Sequence, residues 1–329
     1  MSTATGRRVL ISGMGGQLGS LVAARLEREP WVESITGLDA DPPRRRLNRS
    51  TFHLVDASDA TRMAEIVEAT DPHVLIHLAV WEPDARAKPS HAETFTRQAA
   101  HSLFESAQWS STLQHVVVRS GLEVYGRGRD SVDIPSDDAK PNPTTQYGRM
   151  LLELEEYART MFTSSTVDVT PLRLAPVVGP HIPSPLGRLL RLPFVPFNLV
   201  RAPMFSVLHE DDAARAFILA AQRTIGSPIN IVAPGEISGF SVARSSRHIP
   251  LPLIGPEWTV TRRVAHLFGA PVPEHVMEVL HHGRRGTSSR CRRALGWEPE
   301  MSTQSVIDSL FTWEGVVRIP AKRAWEVAS

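Results

Sequence analysis

Cysteine is almost missing from this chain: Cys291 is the one thiol in 329 residues. A single cysteine excludes an intramolecular disulfide framework and fits a reducing compartment. No apolar run reaches the roughly 18 residues that a membrane span requires. Residues 1–8 are short and polar and lack the apolar segment of a secretory signal. These absences give the expectation of a cytoplasmic protein with no membrane partner. Neither sign of charge is in excess, with 36 Lys and Arg against 35 Asp and Glu and a net charge of +1. The chain as a whole therefore offers no electrostatic case for nucleic acid or for an acidic membrane. Internal repeats and low-complexity tracts are absent too. His281 and His282 are adjacent and have no carboxylate cluster around them. Neighbouring residues on a regular element diverge, so they read as surface histidines and no metal site is expected. What remains is an ordinary globular composition, 42% hydrophobic and 22% charged, long enough for one large core with an appended subdomain or for two modest domains.

The informative stretch comes at once. Val9 to Ile11 is a short apolar run, followed by Gly13, Gly16 and Gly19 and then by the helix-like Ser20 to Arg28. A buried parallel strand opening into G-x-x-G-x-x-G is the pattern of a dinucleotide turn. The first glycine allows the tight turn, the second lets backbone approach a pyrophosphate, and the third lets helix pack on strand. The helix N-terminus then faces the anion, which makes Gly13, Gly16, Gln17, Leu18 and Gly19 cofactor-binding candidates. Asp39 stands twenty residues past Gly19, at the end of the apolar segment Ile35 to Leu38. A carboxylate there meets a ribose diol and repels a 2′-phosphate, predicting NAD over NADP. Arg44, Arg45 and Arg46 read as a solvated loop and are the one feature that leaves room for NADP.

Strand-like and helix-like segments alternate onward, the pattern of a parallel sheet covered on both faces. Phe52 to Val55 ends at Asp56-Ala57; Thr61 to Ala69 is helical; Val74 to Val80 is apolar apart from His77. Ala92 to Gln108 is helical, His115 to Arg119 is a strand running into Ser120 to Gly126, Tyr147 to Met161 is a long helix, and Val167 to Leu174 is the sixth strand. The texture then changes. Residues 176–203 carry many prolines among leucines, valines and phenylalanines, too broken for long elements and too apolar for a linker. Such a stretch lines a pocket or an interface. Phe205 to Ala221 returns to strand and helix, Ile229 to Val232 is another strand, and residues 249–329 supply the remaining helices. Arg284, Arg285, Arg290, Arg292 and Arg293 read as a solvated helix face, one member of which could reach an anionic substrate.

The glycine set, Asp39, Asp56-Ala57, His77-Leu78-Ala79, Val124-Tyr125-Gly126, Tyr147-Gly148, Leu172-Arg173, Val178 to Pro180, His209 to Asp212 and Leu295-Gly296-Trp297 occur in the order of one family. From Arg8 to about Pro299 the chain resembles the extended short-chain dehydrogenase/reductases, the NAD-dependent epimerase/dehydratase family. The resemblance implies an α/β fold, a Rossmann-type doubly wound parallel sheet with a smaller C-terminal substrate-binding subdomain. The NAD-binding core is then expected over residues 1–177 and 205–233, and the substrate-binding subdomain over 178–204 and 234–329. It further implies that Asp56 and Ala57 contact adenine, that Leu78, Ala79 and Val80 line the middle of the cofactor, and that Tyr147 is the acid/base of a Tyr-x-x-x-Lys pair. Members often pair through two helices, here Ala92 to Gln108 and Tyr147 to Met161, so a homodimer is expected, with Leu103, Phe104, Leu152 and Met161 as candidate contacts.

Several positions depart from the family. Leu151 stands where its lysine belongs, one helical turn after Tyr147 and over the same face. A nearby cation lowers a tyrosine pKa by roughly 1–3 units from about 10. Its absence removes that help and a holder of the nicotinamide ribose. Gly121 occupies the place of the active-site serine or threonine, with Ser120 one step earlier, and successive residues leaving a strand diverge. Glu123 falls where sugar-nucleotide 4,6-dehydratases carry the glutamate of an Asp-Glu pair, with Leu122 in place of the aspartate. It reads either as a proton carrier or as a hydrogen-bonding loop residue. Tyr147, Glu123 and Ser120 are the catalytic candidates. Pro176 and Phe205 replace an asparagine and an arginine that hold a nucleotide diphosphate in family members. Proline has no N–H and phenylalanine no charge, although Arg201, Arg284 or Arg285 could compensate. With Leu190 to Val200 read as an apolar wall, the expected ligand is a small molecule with hydrophobic surface.

Three functions are compatible with these residues. The first is an NAD-dependent oxidoreductase or epimerase acting on a hydroxyl- or keto-bearing small molecule, with Tyr147 as acid/base. The second is a non-redox lyase, isomerase or cyclase in which Glu123 and Tyr147 move protons. The third is a non-catalytic NAD-sensing module.

Overall fold

The computed structural model describes residues 6–83, 89–128, 131–163, 166–200, 202–246, 248–253 and 272–312. Arg201, and the parts of the expected subdomain at 254–271 and 313–329, lie outside the described residues. The apolar runs form strands β1 (Arg7–Ser12), β2 (Val32–Asp39), β3 (Ser50–Leu54), β4 (Val74–His77), β5 (His115–Gly121) and β6 (Asp168–Leu174). With the short strand Ile229–Ile231 they make a seven-stranded sheet, ordered from that strand through β6, β5, β4, β1 and β2 to β3. Every pairing is parallel. Parallel strands need crossovers that cover both faces, so the inner strands carry near-continuous apolar sequence. Val9, Leu10, Ile11, Val116, Val117 and Val118 are fully buried accordingly.

Helices α1 (Gln17–Leu26), α2 (Ala60–Thr70), α3 (Pro89–Ala107) and α4 (Gln146–Met161) fill the crossovers. α1 packs on the helix Glu210–Gln222, while α2, α3 and α4 pack in a row. Chain order reverses between β1 and β4, and in open α/β sheets a ligand crevice forms at that switch point, beyond the carboxyl ends of the strands.

A second apolar cluster gathers Val178, Leu186, Leu190, Val195, Phe205, Val207, Ile237, Val242, Val276, Val279 and Ile307. Two expectations change here. Leu190 to Val200 is not a pocket wall. Phe194–Asn198 is a strand whose Val195 is fully buried in the second cluster, and it pairs in parallel with Ile249–Leu253. The partner was expected to be helical; its prolines are tolerated because an edge strand needs few ladder donors. Leu103 and Phe104 face the protomer's own core and are fully buried, so neither can meet a partner. Leu152 and Met161 are half-buried.

Candidate active site

Gly13 ends β1 with φ +78°, and a Cβ there would lie 2.5 Å from the Ala79 nitrogen, where the loop after β4 passes. A Cβ on Gly19 would lie 2.0 Å from the Gly13 carbonyl oxygen. Only glycine lets α1 sit this close to the turn. Gly16 differs: it is exposed, and an added Cβ would meet nothing nearer than 3.4 Å. It caps α1 with no side-chain bond, leaving the helix N-terminal amides facing an open cleft of about 300 Å³. Open backbone at a helix N-terminus is what a pyrophosphate requires, so the cleft fits a dinucleotide.

Asp39 holds this turn as well as facing the cleft. Its Oδ2 accepts the Gly15 amide at 2.8 Å and its Oδ1 the Asp41 amide at 3.2 Å. Burial pushes its carboxyl above the ordinary aspartate value, and the two amides pull it back in part. A carboxylate has about four acceptor sites, so two bonds leave capacity for a ribose diol. Arg44, Arg45 and Arg46 are all exposed, and the Arg44 amide is tied to Ser20 Oγ at 2.8 Å. An Asp39→Ala protein is expected to lose about 1.5–3 kcal/mol of NAD affinity, the worth of hydrogen bonds to a charged group. Titration calorimetry against NAD and NADP checks this; unchanged NAD affinity would contradict the role.

Gly13, Gly16, Gln17, Leu18, Gly19, Asp39, Leu78, Ala79, Val80, Ser120, Glu123 and Tyr147 all line the one cleft. Asp56 and Ala57 do not. Asp56 is exposed and accepts from Ser58, while the Ala57 carbonyl accepts from Ser102 Oγ at 3.0 Å. His77, under the loop, is wholly buried against Ser12 Oγ at 2.7 Å, and burial lowers its pKa to about 3, which keeps it neutral.

At the far end of the cleft stands Tyr147, in the first turn of α4. Thr145 caps that helix, accepting from the Gly148 amide at 3.1 Å. Burial drives the Tyr147 phenol well above its ordinary value. The Arg119 guanidinium, hydrogen-bonded to it, works against that rise without cancelling it. Arg119 comes from β5; it donates to the Val80 carbonyl at 3.2 Å and lies 3.9 Å from Glu82. Glu82 Oε1 is 3.0 Å from His275 Nε2, and the His275 ring lies 4.6 Å from the Tyr147 ring. Arg119, Glu82 and His275 were all missed in the sequence. They arrive from three distant segments, and no local spacing links them to Tyr147.

The two departures at Gly121 and Leu151 are one structural change. A Cβ on Gly121 would lie 2.2 Å from Glu123 Oε2 and 3.2 Å from Leu151 Cδ1. The Glu123 carboxylate thus occupies the space above Gly121 that any side chain there would need. Arg284 fixes it: this arginine is fully buried, with Nε 3.6 Å from Glu123 Oε1, Nη1 donating to the Leu122 carbonyl at 2.8 Å, and Nη2 paired with Glu278. The arginine cluster is therefore only in part a solvated face: Arg284 is buried and Arg285 and Arg290 half-buried, while Arg292 and Arg293 are exposed. Arg284 bridges to Phe205 as extended chain, Arg285 pairs with Asp133 and Glu236, Arg290 with Asp138, and Arg292 with Glu298.

Ser120 does not offer its hydroxyl to the cleft. It donates to Glu155 Oε1 at 2.5 Å within a buried network, because a side chain one residue before Gly121 leaves the strand on the opposite face. Pro176, Ile182, Pro183, Leu186, Val276 and Val279 give the cleft an apolar wall.

Residues 9–232 match the model of the NAD dependent epimerase/dehydratase family. An uncharacterized protein of Mycobacterium tuberculosis is 29% identical over 332 residues, covering 97% of this chain and 88% of the relative. The dTDP-L-rhamnose 4-epimerase of Burkholderia thailandensis is 22% identical, covering 95% and 96%. Among solved structures, the UDP-glucose 4-epimerase of Thermotoga maritima with UDP-glucose superposes with a TM-score of 0.71 at 18% identity, over 92% of this chain and 97% of that one. The glycine turn with Asp39, the 3-2-1-4-5-6 strand order and a match that spans the whole sheet agree: the chain belongs to the NAD-dependent epimerase/dehydratase family, and its cofactor is NAD.

Proposed function

We propose that this protein is an NAD-dependent oxidoreductase or epimerase acting on a hydroxyl- or keto-bearing small molecule, with Tyr147 and Glu123 moving protons at the substrate. The observation that carries the reading is the Glu123 carboxylate seated over Gly121, in the same cleft as Tyr147. Gly13, Gly16, Gln17, Leu18, Gly19 and Asp39 would hold NAD, which when bound supplies a reversible hydride acceptor. Tyr147, kept protonated by burial, would donate a hydrogen bond or proton to a substrate oxygen, and Arg119 would stabilise the phenolate that follows. Glu123 would take or return a proton at the substrate, from the space that a serine or threonine side chain at position 121 would need. Arg284 would keep its carboxylate in one orientation, and the apolar wall would limit water. A non-redox lyase, isomerase or cyclase is the second reading. Leu151 favours it, since the cation normally set by that helix position is gone and proton movement alone would use the same two residues.

The reading extends to the substrate: we propose a ligand that is not a nucleotide sugar. Phe205 is buried in the second core, and Arg284 and Arg285 are engaged with carboxylates. None of these three groups is left to hold a diphosphate. Two missing charge-assisted anchors correspond to roughly 3–6 kcal/mol, or two to four powers of ten in affinity. Because the rhamnose and glucose epimerases above are named for nucleotide sugars, those compounds are the direct test. Saturation-transfer NMR with NAD present is expected to show no specific binding of UDP-glucose, UDP-galactose or dTDP-glucose. Micromolar binding competed by the free nucleotide diphosphate would overturn the substrate reading. In parallel, a panel of small alcohols and ketones with NAD, followed by NADH absorbance and by product chirality, tests the reaction class. Turnover with no redox exchange into NAD would favour the second reading.

We also propose a homodimer through α3 and α4. Their outward surface carries Phe95, 45% exposed, and the stacked rings of His101 and Tyr157 beside a cavity of about 200 Å³. Sedimentation velocity at micromolar concentration is expected to give twice the protomer mass; a monomer would refute the assembly.

A further inference from the structure

The near-zero net charge hides a strong local asymmetry. Residues 178–209 contain Arg188, Arg191 and Arg201 and no Asp or Glu, and residues 237–256 contain Arg244 and Arg247 and again no acid. The fold joins these two segments, because Phe194–Asn198 pairs with Ile249–Leu253 in register Phe194 to Ile249 and Pro196 to Leu251. Seven of the twelve exposed large hydrophobic side chains among the described residues lie in the same place. Phe194 is 52% exposed, Ile249 58% and Val200 73%, with Leu192, Leu199, Leu251 and Phe240 also exposed. Phe240 belongs to the helix Gly239–Ser245 and its ring lies 5.4 Å from that of Phe197, which makes the surface continuous with the strand pair. Arg191 and Arg244 are exposed at its border. Arg191 donates to the Gly179 carbonyl at 3.1 Å, a neutral partner.

We propose that this face docks on an anionic lipid bilayer. An exposed apolar patch with a cationic border, built on two segments that hold no acid, suits the headgroup boundary, where apolar side chains insert and arginines meet lipid phosphate. A second copy of the chain would bring the exposed Arg191 and Arg244 of one protomer toward the same like charges of the other. The stretches 254–271 and 313–329 each hold more Arg and Lys than Asp and Glu, so neither is acidic overall. No helix among the described residues is long and apolar enough to cross a membrane, so the association is peripheral. The helix Pro185–Leu190 connects the patch to the cleft, since Leu186 lines the cleft and Leu192 lies in the patch. A membrane-dissolved substrate with one polar end would thus reach the apolar wall by a short path.

Co-sedimentation of the full chain with vesicles tests the proposal. Vesicles of phosphatidylcholine with a third of phosphatidylglycerol should retain the protein, pure phosphatidylcholine should not, and high salt should release it. Arg191→Gln with Arg244→Gln should lower partitioning about 25-fold, roughly fivefold for each charge. Phe194→Ser with Ile249→Ser should reduce it by at least about tenfold. NAD binding by calorimetry should be unchanged in both double variants, which separates docking from folding and from the reading of the active site. Absence of binding to the anionic vesicles, or binding that ignores these substitutions, overturns the proposal. A change in sedimentation mass without vesicle binding would assign the face to a second copy instead, and would overturn it equally.

Discussion

Arg173→Met is expected to remove about 3–5 kcal/mol of folding stability, more than any other single substitution considered for this chain. Arg173 on β6 forms a bidentate pair with Glu155 of α4, Nε to Oε1 at 2.9 Å and Nη2 to Oε2 at 2.7 Å, and both residues are buried. Its Nη1 donates to the Tyr125 hydroxyl at 2.8 Å, which in turn donates to Asn230 at 2.8 Å, while Ser120 donates to the same carboxylate. The network thus ties α4, β5, β6 and the edge strand together. Removing one partner leaves a carboxylate without water or counter-ion, and that cost exceeds what the intact pair contributes. Removing both should therefore hurt less. Glu155→Leu with Arg173→Met is expected to recover most of the loss, and urea denaturation of the two single variants and the double variant measures it. A single-variant loss below about 1 kcal/mol would mean that water reaches the pair.

Glu123→Gln is expected to lower turnover about 10²–10⁴-fold, the worth of a positioned proton carrier. The amide keeps the size of the side chain, and Arg284 retains Glu278 and the Leu122 carbonyl, so the fold should survive. Gly121→Ala approaches the same question from the other side. Its Cβ would lie 2.2 Å from Glu123 Oε2 and must push the carboxylate away, so a comparable loss is expected with the carboxylate still present. Tyr147→Phe removes one hydroxyl with little packing cost and should abolish most activity. Steady-state kinetics on whichever panel compound is turned over, with NAD affinity measured alongside, separates chemistry from cofactor binding. If Glu123→Gln changes the rate by only a few-fold, Glu123 is a support for Leu122 and Arg284, and the proposed proton path fails.

The elements were legible where the code is local. Thr61 to Ala69 and Val167 to Leu174 fall within a residue or so of α2 and β6, because apolar period and cap chemistry are read from neighbours. Residues 190–200 misled because prolines break periodicity while an edge strand accepts them. Leu103 and Phe104 misled because a helix shows one apolar stripe without saying whether sheet or partner covers it.

The sequence by itself determined the nucleotide end of this protein. Gly13, Gly16, Gly19 and Asp39 lie within one strand-turn-helix-strand unit, where the left-handed φ of Gly13 and the close approach of Gly19 to the Gly13 carbonyl are set locally. Only the tertiary structure decided the chemical end. Arg119, Glu82 and His275 reach Tyr147 from β5, the loop after β4 and the helix Glu274–His282. Glu123 fills the space that Gly121 leaves, and Arg284 becomes a buried counter-charge when it looks like surface. Charge behaves in the same way. A total of +1 averages over the whole chain, whereas electrostatic attraction falls off within about 8 Å in physiological salt. Two acid-free segments therefore matter only because a strand pair sets them side by side.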